Sequence, residues 1–181
     1  MPETISFAVK QARGPGAQIG DCRSLTGGTI NQSFSIALTS GEKLFIKLKL
    51  PGNPCPGMFE AEPACCDLIA NSRTIAVPQT LYVDANCLVQ TLFLASEKNS
   101  RWHEDIGRQL ALMHQGITAV QYGFELNNYL GISFQRNEHC DDWLSFWRTN
   151  RLQPQITQLA KLLSVTDKRV KQEVTFTTRL G

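Results

Sequence analysis

Two adjacent glycines, Gly27 and Gly28, lie in the segment LTGGTINQSF, directly before a predicted strand. Because glycine carries no side chain, the backbone N–H groups of such a turn can approach phosphate oxygens closely and form an anion-binding nest. The same pair is also typical of an ordinary hairpin turn. The glycines by themselves therefore indicate a candidate phosphate-binding loop and leave a purely structural turn open.

A lysine follows in the next predicted strand: Lys47, within the sequence FIKL. In kinase-type nucleotide sites, a lysine from a strand after the glycine-rich loop pairs with the α- and β-phosphates of ATP. The alternative is a solvent-facing position, since the strand period of two places Lys43, Lys47 and Lys49 on one face. The pattern does not decide between these interpretations.

A lysine with that role needs a carboxylate to hold it, usually from the next helix. Glu60 and Glu62 stand at the start of the predicted helix, and Pro63 follows Glu62. Proline is tolerated in a first helical turn but not in a helix interior. The alternative for both acids is a favourable interaction with the positive end of the helix dipole.

The apolar pattern predicts an α+β protein with a strand-rich first part and a helical second part, divided near residue 95. A loop is predicted at 51–57 (PGNPCPG) from its prolines and glycines. The other predicted elements are helices at 5–16, 59–72, 102–115, 141–148 and 152–163, and strands or extended segments at 33–38, 43–48, 74–78, 80–83 and 87–94. The last strand reads as buried on both faces, and the helix at 102–115 carries Ile106, Leu110 and Met113 along one apolar face.

The composition excludes several other classes of function. A formal net charge of +2 gives no basic face, so nucleic acid is not an expected partner. No apolar run has the length of a membrane span, and the first residues lack the apolar core of a signal peptide, which predicts a cytoplasmic protein. None of the six cysteines forms a CxxC pair. They are predicted to be reduced, partly buried thiols and not metal ligands.

Several motifs occur together in a specific order. GGTINQSF, FIKL, MFEAE, VP, LVQTLFL and GRQLALMHQ are followed by YGFELNNYLG and then by CDDWLSFWRTNRLQPQ. This order, and above all the run DDWxxFWxxxRLxPQ after NNYLG, resembles the fructosamine kinase (ketosamine-3-kinase) family. The resemblance covers about residues 20 to 160.

The resemblance implies a two-lobed, protein-kinase-like fold. Residues 1–95 would form an N-lobe of antiparallel sheet plus helix, with the nucleotide-binding loop and the hinge, and residues 96–181 the first helices of an incomplete helical C-lobe. The family uses ATP and Mg²⁺ to phosphorylate the sugar of small or protein-bound ketosamines, so that the amine is released.

The family's nucleotide-site residues carry over by position. The resemblance implies that Gly27, Gly28 and Thr29 lie over the phosphates, that Lys47 holds the α/β-phosphates and pairs with Glu62, and that Gln90, Thr91, Leu92 and Phe93 form the hinge that meets the adenine ring through backbone groups. Asp141, Asp142 and Trp143 match a family motif without an assigned chemical role. For the aromatic residues of that motif, helix packing is favoured over direct contact with sugar.

The chain also departs from the family pattern. The segment HGDLWxGN, whose Asp and Asn serve catalysis and magnesium binding in the family, does not occur in the sequence, and the tail from about residue 165 does not resemble the family. We therefore expect this chain to be inactive alone and to need a missing C-lobe polypeptide. The alternative is a non-catalytic nucleotide-binding or regulatory module.

Overall fold

A computed structural model describes residues 3–26, 28 and 30–162. The chain divides into two compact units between Thr118 and Ala119. The first contains α1 (Glu3–Arg13), β1 (Ile19–Leu25), β2 (Asn31–Leu38), β3 (Lys43–Lys49), α2 (Met58–Asn71), β4 (Thr80–Val83), β5 (Cys87–Thr91) and α3 (Trp102–Gly116). The second contains β6 (Asn128–Leu130), β7 (Ser133–Gln135), α4 (Trp143–Trp147), a π-helix (Arg148–Leu152) and α5 (Gln153–Leu162).

A five-stranded antiparallel sheet organises the first unit, in the order β1-β2-β3-β5-β4. The turn between β2 and β3 uses Gly41, whose φ of +90° favours glycine over residues with a side chain. In β3 the residues alternate strictly, so that Leu44, Ile46 and Leu48 are buried while the residues between them are partly exposed. This alternation gives the sheet one apolar face and one face able to carry polar groups.

The apolar face of the sheet forms the core with α1. Ile5, Ala8 and Val9 of α1 are fully buried, and they cluster with Ile46 of β3 and Val89 of β5. Burying a large aliphatic side chain stabilises a fold by about 1.5–3 kcal/mol relative to leaving it exposed. This core fixes the central strands, and with them the side chains on the opposite face.

Helix α2 begins after Gly57, which has a left-handed φ of +73°. Phe59 and Ala61 are its buried residues. Pro63 is the sixth residue of the helix and so lies beyond the first turn in which the sequence pattern placed it. Proline there has no N–H to donate to the carbonyl of Phe59, so α2 is held by its tertiary contacts in addition to its own hydrogen bonds.

The second unit combines a short hairpin, β6–β7, with a continuous helical stretch from Trp143 to Leu162. The stretch passes from α-helix through one π-turn at Arg148–Leu152 and back to α-helix. Sequence periodicity predicted the two helices but neither the hairpin nor the π-turn. A single π-turn adds one residue to a helical turn, which a periodic pattern does not reveal.

The structure corrects several predicted elements. β1 was not predicted as a strand, and residues 74–78, predicted as a strand or an extended segment, do not form a strand. The predicted strand at 87–94 is wrong for its last three residues, since β5 ends at Thr91 and Phe93 and Leu94 are 55% and 65% exposed. Ile106 and Leu110, on the predicted apolar face of α3, are also exposed. The expected lobe boundary near residue 95 differs from the division at 118 and stays a prediction.

Candidate nucleotide site

Lys47 lies on the polar face of the sheet and contacts Glu62 of α2. Its Nζ is 2.7 Å from both Glu62 Oε1 and Oε2, which makes a two-oxygen ion pair. The two side chains are 26% and 31% exposed, so the pair is partly shielded from water. The solvent-facing alternative for Lys47 is therefore wrong, while Glu60, two residues before Glu62, is exposed.

The surroundings of this pair are partly apolar. Lys47 is paired across the sheet with Ser33 of β2 and with the fully buried Leu88 of β5. Its ammonium lies 5.8 Å from the ring centroid of Phe45. Ion pairs in such surroundings are less screened than those on an open surface. The Lys47 ammonium is thus held by Glu62 next to β2, the strand that follows the glycine-rich segment.

Cys66 lies one helical turn after Glu62 on α2. Burial raises the pKa of its thiol, and the nearby negative charge of Glu62 raises it further. The thiol is consequently protonated at neutral pH, and a thiol in this form is a weak nucleophile. Cys66 is therefore a small, partly buried side chain next to the ion pair and not a reactive thiol.

The glycine-rich segment is described at Gly28, whereas Gly27 and Thr29 lie outside the described residues. A Cβ built on Gly28 would lie 2.6 Å from the backbone oxygen of Asn31. Real Cβ atoms do not approach a backbone oxygen so closely, so the backbone would have to move. Gly28 therefore allows a close chain approach that any other residue would prevent.

Replacing Gly28 with alanine is expected to lower ATP affinity by about tenfold, because displaced or strained backbone of this kind costs about 1–3 kcal/mol. The measurement is the Kd for Mg-ATP by isothermal titration calorimetry. Gly16→Ala is the matched control, since a Cβ on Gly16 meets no atom within 4 Å. Equal ATP affinity of the two variants would show that the close approach at Gly28 does not matter for binding.

The predicted hinge, residues 90–93, is the end of β5 and the chain just after it. Gln90 is 2% exposed, and its side-chain amide lies 3.5 Å from Thr80 Oγ1. The N–H of Thr91 donates to the carbonyl of Gln79, and the N–H of Leu92 donates to that of Lys43. These two amide groups are thus engaged within the sheet, and Phe93 is the exposed member of the segment.

The motif residues Asp141, Asp142 and Trp143 belong to the second unit and begin α4. Asp142 caps the helix, because its carboxylate accepts a hydrogen bond from the N–H of Ser145 at 2.9 Å. The hydrogen bonds from Ser145 lower the pKa of Asp142. The Trp143 ring stacks on Phe146 at a centroid distance of 5.8 Å. This part of the motif therefore starts and packs a helix.

A buried polar cluster, which we name the Asn137 cluster, joins the hairpin to the helical stretch. It consists of Asn128, Asn137, Asn150 and Arg151, and Asn137 and Asn150 are 3% and 4% exposed. Asn137 Nδ2 donates to Leu126 O at 2.8 Å and to Asn128 Oδ1 at 3.1 Å. Its Oδ1 accepts from the Arg151 guanidinium.

The Asn137 cluster was not predicted, although its members lie in or beside the motifs NNYLG and RTNRLQPQ. The Arg151 guanidinium also lies 4.7 Å from the Phe146 ring centroid, and burial lowers the pKa of Arg151. The signal that could have found the cluster is the recurrence of asparagine beside short apolar runs. Such side chains are buried only with hydrogen-bond partners.

Within the described residues, no three or more His, Cys, Asp or Glu side chains come together in a way that could hold a metal ion. None of the six cysteines, all of which lie in the described part of the chain, forms a disulfide bond. No helix in the part of the chain that the structure describes has the length and apolar character needed to cross a bilayer.

Comparison with known proteins gives consistent matches. A family model described as fructosamine kinase matches residues 1–179, a range that includes most of the tail after residue 165. A probable ketoamine kinase of Synechocystis is 30% identical over 156 residues, which are 83% of this chain and 51% of that protein. The chloroplastic protein-ribulosamine 3-kinase of Arabidopsis thaliana is 31% identical over 147 residues, covering 77% of this chain and 43% of that protein.

Solved structures show the same fold. A candidate fructosamine-3-kinase from Haemophilus somnus matches with a TM-score of 0.78 at 21% identity, over 96% of this chain and 59% of that one. Another from Thermobifida fusca matches with a TM-score of 0.77 at 22% identity, over 97% of this chain and 61% of that one. The protein-kinase-like fold expected from the sequence is confirmed. This chain spans about half the length of the curated relatives it matches.

Proposed function

Because the chain belongs to the fructosamine kinase family, we propose that its first unit is the ATP-binding part of a ketosamine kinase. The reaction is transfer of the γ-phosphoryl group of ATP to a sugar hydroxyl of a ketosamine. Two curated relatives carry the names ketoamine kinase and protein-ribulosamine 3-kinase. The substrate class proposed for this chain is accordingly a fructosamine or ribulosamine, free or attached to a protein, and the outcome is deglycation of the amine.

The observation that carries the proposal is the ion pair between Lys47 and Glu62. A carboxylate from the next helix holds the lysine side chain in one conformation. Its ammonium can then neutralise phosphate charge without a change of rotamer. Glu62 accepts two short contacts from this ammonium at 2.7 Å. In the proposed complex Lys47 contacts the α- and β-phosphates, and the segment Gly27, Gly28 and Thr29 covers them.

The adenine ring is assigned to the segment after β5. Thr91 and Leu92 already donate their N–H groups to Gln79 and Lys43. The base is therefore proposed to bind to other backbone groups of residues 90–93, a segment in which Phe93 is 55% exposed. The buried side chain of Gln90 fixes the end of β5 and does not itself read the base.

Magnesium is proposed to bind together with ATP, since no three or more His, Cys, Asp or Glu side chains of the described residues come together to hold it. The sequence also contains no HGDLWxGN segment. We therefore propose nucleotide binding for these 181 residues and assign them no phosphoryl transfer of their own.

The test is to incubate the 181-residue chain with Mg-ATP and fructosyl-lysine, and to measure ATP binding and phosphorylated sugar in parallel. The expected result is binding without product. Phosphorylated fructosyl-lysine, detected by mass spectrometry, would overturn the proposal that these 181 residues do not transfer phosphate by themselves. A folded chain that does not bind ATP would overturn the proposed nucleotide site, and binding that persists without magnesium would favour a regulatory module.

A further inference from the structure

The loop between β3 and α2, residues 51–57, contains an asparagine whose side chain is fully engaged. Asn53 Nδ2 lies 3.3 Å from the carbonyl oxygen of Ile30 and 3.1 Å from Asn31 Oδ1. Asn53 Oδ1 accepts from the N–H of Cys55 at 2.9 Å. An amide side chain has two donors and one acceptor oxygen, and here every one of these groups has a partner.

The side-chain amide of Asn53 contacts the two residues that come directly after the glycine-rich segment. Ile30 and Asn31 directly follow it, and the Asn31 backbone oxygen is the atom that a Cβ on Gly28 would meet. Asn31 also extends the connection, because its Nδ2 lies 3.4 Å from the sulfur of Met58, the first residue of α2. We name these contacts, which run from Asn53 to Ile30 and Asn31 and from Asn31 to Met58, the Asn53 bridge.

The Asn53 bridge connects two parts of the proposed nucleotide site that are distant in sequence. One end is the segment proposed to cover the phosphates, and the other is the start of α2, which carries Glu62 one turn later. Glu62 in turn holds Lys47. The spacing between the phosphate-covering segment and the phosphate-binding ammonium is therefore set partly through Asn53.

We propose that Asn53 is a positioning residue for nucleotide binding, which holds Ile30 and Asn31 at a fixed spacing from the Lys47–Glu62 pair. This inference rests on the proposed function. It predicts that Asn53 affects the affinity for ligands that carry phosphates. The affinity for the base is not affected, because the contacts of the bridge involve no residue of the segment 90–93. Asn53 itself does not contact the nucleotide.

Asn53→Asp is the informative variant. Aspartate has the same shape and still accepts from the N–H of Cys55, which preserves the local turn, but it cannot donate to Ile30 or Asn31. ATP affinity is expected to fall about 5- to 20-fold, as the loss of one or two hydrogen bonds predicts. Adenosine affinity is expected to change by less than about twofold, since its binding does not involve phosphates.

Gln32→Glu is the matched control for charge. It places a negative charge on an exposed side chain next to Asn31 and leaves the side chains of Asn31 and Asn53 unchanged. An equal fall in ATP affinity for Gln32→Glu and Asn53→Asp would overturn the inference, because charge alone would then explain both. Unchanged ATP binding by Asn53→Asp, or a parallel loss of ATP and adenosine binding, would overturn it as well.

Hydrogen exchange separates this inference from the proposed function. Faster exchange is expected in peptides covering residues 30–36 of Asn53→Asp, and not in those of Gln32→Glu. Unchanged exchange in Asn53→Asp would show that Asn53 does not hold the segment. If the wild-type chain bound neither ATP nor adenosine, the proposed function and the role of Asn53 in binding would fail together, while the exchange data would still decide whether the bridge orders the segment.

Discussion

Replacing Lys47 with alanine is expected to weaken binding of Mg-ATP by about 30-fold or more, since hydrogen bonds to charged groups contribute about 1.5–3 kcal/mol. The substitution removes the cation that is held 2.7 Å from both oxygens of Glu62. It also leaves the Glu62 carboxylate unpaired beside the proposed phosphate position, where it repels the ligand. The Kd measured by isothermal titration calorimetry checks the prediction.

Two further variants make the Lys47 result specific. Lys47→Ala combined with Glu62→Gln is expected to bind ATP more tightly than Lys47→Ala alone, because the repelling carboxylate is gone. Lys10→Ala removes the same charge from an exposed position on α1, the helix that packs on the opposite face of the sheet. If Lys10→Ala weakened ATP binding as much as Lys47→Ala, net charge and not the ion pair would account for the effect.

Replacing Asn137 with alanine is expected to destabilise the second unit by about 2–4 kcal/mol, because several hydrogen-bonding groups around this buried side chain lose their partner at once. These groups are the carbonyl of Leu126, the side chain of Asn128 and the partly buried guanidinium of Arg151. Urea unfolding followed by tryptophan fluorescence measures the change, with Trp143 and Trp147 as reporters in this unit.

Glu138→Ala is the control for the Asn137 variant. Glu138 is the next residue along the chain, and it enters the Asn137 cluster through its backbone carbonyl, which accepts from Asn150 at 2.9 Å. Its substitution is expected to change the free energy of unfolding by less than about 0.5 kcal/mol, as is usual for exposed side chains. A comparable loss for both variants would mean that the cluster does not stabilise the unit.

Local sequence patterns predicted the elements that depend on neighbouring residues. The strict alternation in β3, the loop at 51–57 and the start of α2 all follow from period and from proline and glycine content. The same patterns failed where tertiary context decides. β1 has too little apolar alternation to be read as a strand and is formed by its pairing with β2, and β5 stops at Thr91 although the apolar run continues to Leu94.

In the candidate site, too, some features were predicted from the sequence and others depend on tertiary packing. The motif order was enough to indicate the family, and the glycines, Lys47 and the two glutamates were all visible as residue types at suggestive spacings. The spacing of the residues left open which glutamate meets the lysine, and only the family resemblance indicated Glu62. The packing of α2 against the sheet decided it, because the helix brings Glu62 to the lysine and leaves Glu60 in solvent.

What the sequence by itself determined is therefore the family, the strand-rich first part, and the residue types available for binding phosphate. Only the tertiary structure decided the pairing of Lys47 with Glu62, the Asn53 bridge and the Asn137 cluster. The physical reason is that periodicity and turn chemistry act between residues a few positions apart. A hydrogen bond between Asn53 and Asn31, or between Arg151 and Asn137, exists only after packing has brought distant segments within about 3 Å of each other.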